Sequence, residues 1–108
     1  MAQELRADPD ELIKLAAACL AAADTLGGRY RSDHGELDLP ADAFGNTEAA
    51  AGLARTAAAV GANAHRAVSA HVEVLEEDAD ALLQTAFAYL AADRQAMQTV
   101  GNARRAPL

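Results

Sequence analysis

The sequence predicts an all-α chain: a helix–loop–helix hairpin whose second helix is much the longer, pairing into a four-helix-bundle-like dimer. Three observations predict it. Thirty of the 108 residues are alanine, the residue that forms helix most readily and brings almost no side-chain volume. Apolar residues recur at alternating steps of three and four over long stretches, the period of a helix face that meets another helix. β-Branched residues are few and scattered, which argues against a sheet.

The first helix is expected over residues 9–27. Asp8 suits the N-cap, Pro9 the first helical position, and Glu11 the third position of a capping box. Asp10 and Glu11 complement the positive end of the helix dipole. Gly27-Gly28 reads as the stop. Between these signals Leu12, Leu15, Cys19, Ala22 and Leu26 form one heptad seam, with Ile13, Ala16 and Leu20 as a second stripe beside it.

Residues 28–46 read as a connection, with Gly28, Gly35, Pro40 and Gly45 among several charges. A single helical turn is expected across Asp38–Phe44, and Leu37, Leu39 and Phe44 are expected to fold back onto the hairpin. The second helix is expected over 47–98, capped by Asn46, with Glu48 in its first turn. Gly52 and Gly61 lie inside it and mark a candidate kink or break near Gly61-Ala62-Asn63. From Val68 the seam Val68, Val72, Leu75, Ala79, Leu82, Ala86, Tyr89, Asp93, Ala96, Val100 steps by four and three without a miss. Upstream, Leu53, Ala57, Val60, Ala64 and Ala67 form a comparable seam shifted in phase. Leu83, Phe87, Leu90 and Met97 make a further stripe. Residues 1–100 thus form one hairpin domain, and residues 101–108 a frayed tail.

A helix that is apolar on two adjacent stripes has more to bury than one neighbour can cover. A second hairpin, identical or different, is therefore the expected partner. The formal net charge of −7 argues against nucleic acid and against acidic membrane surfaces as partners. No stretch is long and apolar enough for membrane insertion, and residues 1–9 lack the basic start and apolar run of a Sec-type signal peptide. The single cysteine, Cys19, excludes an internal disulfide and reads as a small packing residue.

Nothing in the chain reads as catalytic. His65 and His71 are six residues apart, on different helix faces, and His34 falls in the connection, so the histidines do not have metal-ligand spacing. There is no phosphate loop, paired-cysteine motif or nucleophile elbow. The acidic group Glu73, Glu76, Glu77, Asp78 and Asp80 reads as a solvated helix face. No cofactor or metal is expected, and the chain is expected not to be an enzyme.

Tyr89 and Asp93 stand out because they are one turn apart on a seam where apolar residues are expected. Tyr89-Leu90-Ala91-Ala92-Asp93 resembles the Tyr-x-x-x-Asp/Glu export signal of type VII secretion. The run Leu82–Asp93 resembles the C-terminal helix of the EspC-like secretion-associated proteins, and Leu5-Arg6-Ala7-Asp8-Pro9-Asp10-Glu11-Leu12 resembles the start of their first helix. These proteins are similar in architecture to the Trp-x-Gly (ESAT-like) hairpins. This chain has no Trp, and Phe44-Gly45 is its nearest equivalent of the inter-helix Trp-x-Gly turn.

The resemblance implies a secreted, non-enzymatic protein, cytoplasmic before export, with Tyr89 and Asp93 as export residues. It implies as partners a related hairpin in a homodimer or heterodimer, the type VII secretion ATPase, and a co-secreted effector. In the Trp-x-Gly family the turn of one partner lies beside the export motif of the other. The packing residues are Leu12, Leu15, Cys19, Leu26, Val68, Val72, Leu75, Leu82, Leu83, Phe87 and Leu90. The alternative is a cytosolic helical adaptor, chaperone or toxin-neutralising partner that uses the same seams without export.

Overall fold

The computed structural model describes residues 7–40 and 42–105. It contains two helices, α1 (Pro9–Leu37) and α2 (Glu48–Arg105), and no strand among the described residues. They fold back on each other as an antiparallel hairpin measuring 94 × 32 × 15 Å. Its radius of gyration is 25.3 Å, against about 13 Å for a compact domain of this length. The molecule is a rod because its described elements are two long helices lying side by side.

α1 starts as its sequence dictates. Asp8 has extended backbone geometry, its Oδ1 accepts from the Asp10 N–H at 3.0 Å, and its carbonyl accepts from Leu12 N–H at 3.0 Å. Glu11 does not reach back to the cap; its carboxylate takes Lys14 Nζ at 3.4 Å instead. The helix does not stop at Gly27-Gly28. It runs ten residues further than expected and ends at Leu37. The only positive-φ residue among those described is Gly45, at 91°, so Gly27 and Gly28 are not left-handed caps. They stay helical because Tyr30, one turn on, continues the packing face: its ring stands 5.6 Å from that of His65 in α2.

The connection therefore shrinks from residues 28–46 to 38–47. A turn covers Asp42–Phe44, closed by Ala43 N–H donating to the Pro40 carbonyl at 2.9 Å. Gly45 follows in the left-handed region that glycine tolerates best. The cap of α2 is Thr47, not Asn46: its Oγ1 accepts from Ala50 N–H at 3.3 Å. α2 then runs unbroken through Gly52, Gly61 and Gly101 to Arg105. The described part of the expected tail, residues 101–105, is helical.

The interface between the helices is built on alanine. Ala16, Ala23, Ala50, Ala79 and Ala86 are buried, and no large side chain among the described residues is fully enclosed. On α1 the face that meets α2 is Leu12, Ala16, Cys19, Ala23, Leu26 and Tyr30, stepping four and three. Leu15 and Ala22, expected on that seam, are exposed, Leu15 at 52%. On α2 the expected seam from Val68 to Ala86 is the one that packs. Upstream it runs through Ala54, Ala57, Gly61 and Ala64, whereas Leu53, Val60 and Ala67 turn outward. Here the small residues of α2 face Tyr30 and His34 of α1 across a cleft, and the large ones turn out.

Two stability effects follow. A Cβ built at Gly61 meets nothing within 4 Å, so Gly61→Ala is expected to stabilise the hairpin by about 0.5–1 kcal/mol through helix propensity, read from the urea midpoint. Ala86, fully buried, has no such space, and Ala86→Leu is expected to cost about 1–3 kcal/mol by overpacking in the same titration.

Candidate interaction surface

Counting the antiparallel register from Gly27, whose Cβ position lies 3.6 Å from Val72, the start of α1 at Pro9 falls beside residue 90 of α2. Beyond that point α2 continues for fifteen residues to Arg105, about 22 Å at 1.5 Å per residue. No described residue of α1 lies alongside it. Ala86 is the last buried residue of α2, and from Ala91 to Arg105 only Gly101 is even half-buried.

Tyr89 and Asp93 sit where this overhang begins. They are the continuation of the seam Ala79, Leu82, Ala86, one and two turns past the last buried position. In this register Tyr89 lies opposite the first turn of α1 and is 44% exposed, while Asp93 lies beyond the start of α1 and is exposed. The carboxylate that would carry a desolvation cost inside a seam stands in water. A shallow groove lined by Ala81, Gln84, Thr85, Ala88 and Ala92 runs beside the Tyr89 ring. A rigid aromatic and a charge one turn apart, next to a trough of small residues, make a helix face that another helix can read.

The remaining expected packing residues divide into two groups. Leu12, Cys19, Leu26, Val68, Val72, Leu75, Leu82 and Leu83 are half-buried in or beside the hairpin interface. Leu15, Phe87 and Leu90 are exposed, Phe87 at 58%, and Leu15 edges a groove against Asp78, Ala81 and Leu82 of α2. Leu20, Val60, Met97 and Val100 are also exposed. Cys19 is a free thiol.

At the other end of the rod, Phe44 is half-buried and Gly45 exposed. Phe44 lines a cleft of about 180 Å³ with Tyr30, His34, Leu39 and the small residues Ala54, Ala57 and Gly61. The expected contribution of Leu39 is partial, since it is 54% exposed although it edges the cleft. The side chain of Leu37 lies outside the described residues. Tyr30 bridges the helices between His34, at 6.0 Å, and His65. Nothing in the sequence pattern assigned Tyr30 to a helix; a helix carried through Gly27-Gly28 would have placed it one turn after Leu26 on the same face.

Among the described residues no group of three or more His, Cys, Asp or Glu stands close enough to hold a metal ion, and no helix is long and apolar enough to cross a membrane. The acidic residues Glu73, Glu76, Glu77, Asp78 and Asp80 are all exposed. No protein-family model, curated protein or solved structure matches the chain.

Because Tyr89 and Asp93 are exposed, Tyr89→Ala and Asp93→Ala are each expected to change unfolding free energy by no more than about 0.5 kcal/mol, the range of surface substitutions. Denaturant titration followed by far-UV circular dichroism checks this.

Proposed function

We propose that this chain is a non-enzymatic substrate or co-secreted partner of type VII secretion, acting by helix–helix association, with Tyr89 and Asp93 as its export signal. The observation that carries the reading is the placement of the Tyr-x-x-x-Asp pair. It lies on an exposed helical face where α2 runs past the end of α1. A capturing protein can reach this face without opening the hairpin.

The chemistry is helix-in-groove recognition. Tyr89 offers a large, stiff contact with a hydroxyl at its tip, and Asp93 adds a charge that fixes register and direction. α2 supplies both from one rigid helix, so little ordering cost is added on capture. The exposed apolar residues elsewhere on the rod suit a companion hairpin in the exported complex.

Export from a host that carries the secretion system tests this. Tyr89→Ala and Asp93→Ala are each expected to reduce the protein in the medium at least tenfold while its level inside the cells holds. Gln98→Ala, on the same exposed overhang, is expected to export normally. Normal export of both signal variants removes the reading and leaves the cytosolic adaptor.

A further inference from the structure

The part of α2 that α1 leaves uncovered carries a pattern that is complementary to its own reverse. Starting at Asp80 and stepping three, then four, one line along the helix passes Leu83, Phe87, Leu90, Arg94, Met97 and Gly101 to reach Arg104. It begins with an acid, ends with a base and is mostly apolar between. Phe87 and Met97, the largest side chains on it after the arginines, are 58% and 75% exposed. The line runs beside the α1-facing seam of Ala79, Leu82 and Ala86, and α1 covers no more of it than one side of Leu83. A sustained heptad line with large exposed apolar side chains is half of a coiled coil.

The charges indicate what supplies the other half. From Glu73 to Asp80 there are five carboxylates and no cation. From Ala91 to Arg105 there are three guanidinium groups and one carboxylate, although the chain as a whole carries −7. A parallel copy sets like charge against like. An antiparallel copy sets acid against base at both ends, which is the self-complementarity a two-fold interface requires.

We infer that a second copy of this chain packs antiparallel along this line, with the two-fold axis near residue 92. In that register the three- and four-residue steps of the two copies coincide. Asp80 meets Arg104 of the second copy, and Glu77, flanking the line, meets Arg105. Phe87 meets Met97 in a sulfur–aromatic contact. Leu83 meets Gly101, where a Cβ position has nothing within 4 Å, and Leu90 packs on the aliphatic stem of Arg94. Symmetry makes each contact twice. Asp80 accepts a hydrogen bond from Gln84 Nε2 at 3.1 Å, which leaves its other carboxylate oxygen for Arg104 of the second copy. Tyr89 lies on the outer side of α2 in this arrangement, and Asp93 lies at the rim. The pairing does not depend on export, and it stands or falls by its own measurements.

Sedimentation equilibrium on the full chain, at concentrations in the tens of micromolar, is expected to give twice the monomer mass. Asp80→Arg and Arg104→Asp are each expected to weaken the dimer at least tenfold, and the two together to recover most of the loss. Phe87→Glu is expected to give a monomer with unchanged helical circular dichroism. Spin labels at position 102 in a Cys19→Ser background are expected about 30 Å apart for antiparallel copies, against about 10 Å for parallel ones, at 1.5 Å per residue and ordinary helix spacing. A monomer at these concentrations, the short distance, or a charge swap no better than the single reversals would overturn the assignment. So would a chain that pairs only with a different protein.

Discussion

The structure depends on two helices meeting through alanine. Ala16, Ala23, Ala79 and Ala86 fill the centre of the contact, and side chains this small let helix axes approach toward the short end of their usual spacing. Larger residues such as Leu12, Leu26, Leu75 and Leu82 flank this contact and are only half-buried. The hairpin therefore encloses little apolar volume. Its helicity draws on propensity more than is usual for a folded domain, where packing dominates. The outward faces keep their leucines, valines and phenylalanine because there is no deep interior to receive them.

That constraint also explains the asymmetry along the rod. Near the connection, α1 presents the rings of Tyr30 and His34, and α2 answers with Ala54, Ala57 and Gly61, leaving a cleft edged by Phe44. Further along, Ala16, Ala23, Ala79 and Ala86 are buried and the contact closes. At the far end α1 begins beside Leu90 while α2 continues, so Tyr89 sits at the edge of the contact and Asp93 beyond it, both at the surface. The hairpin seam and the exposed line through Phe87 and Met97 are thus separate faces of one helix, available to different neighbours.

Much of this was legible in the sequence, and the failures have physical causes. The cap at Asp8, the helical class and the seam from Val68 to Ala86 follow from local rules that nothing in the tertiary structure overrides. Gly27-Gly28 misled because a glycine pair is a stop signal only where the next residue adopts left-handed geometry or has nothing to pack on; here Tyr30 packs on α2 and carries the helix to Leu37. Leu15 and Val60 misled because a hydrophobic line weights large residues most, whereas a close helix pair selects small ones. Ala16 is therefore the buried interface position, Gly61 lines the cleft beside Tyr30, and the bulkier Leu15 and Val60 are exposed. The exposure of Tyr89 and Asp93 was not readable from spacing alone, since it depends on where the other helix begins.

One consequence of the unequal helices concerns how the rod comes apart. Its two arms are tied together by the short link at residues 38–47, so that end acts as a hinge with its halves held at high local concentration. The opposite end has no such tether between α1 and α2. Opening is then zipper-like, running from the start of α1 toward the link, and amide exchange grades along the rod instead of switching off all at once. The first turns of α1 to lift away are those lying over Leu82 and Ala86, so the bare stretch of α2 lengthens before the molecule as a whole unfolds.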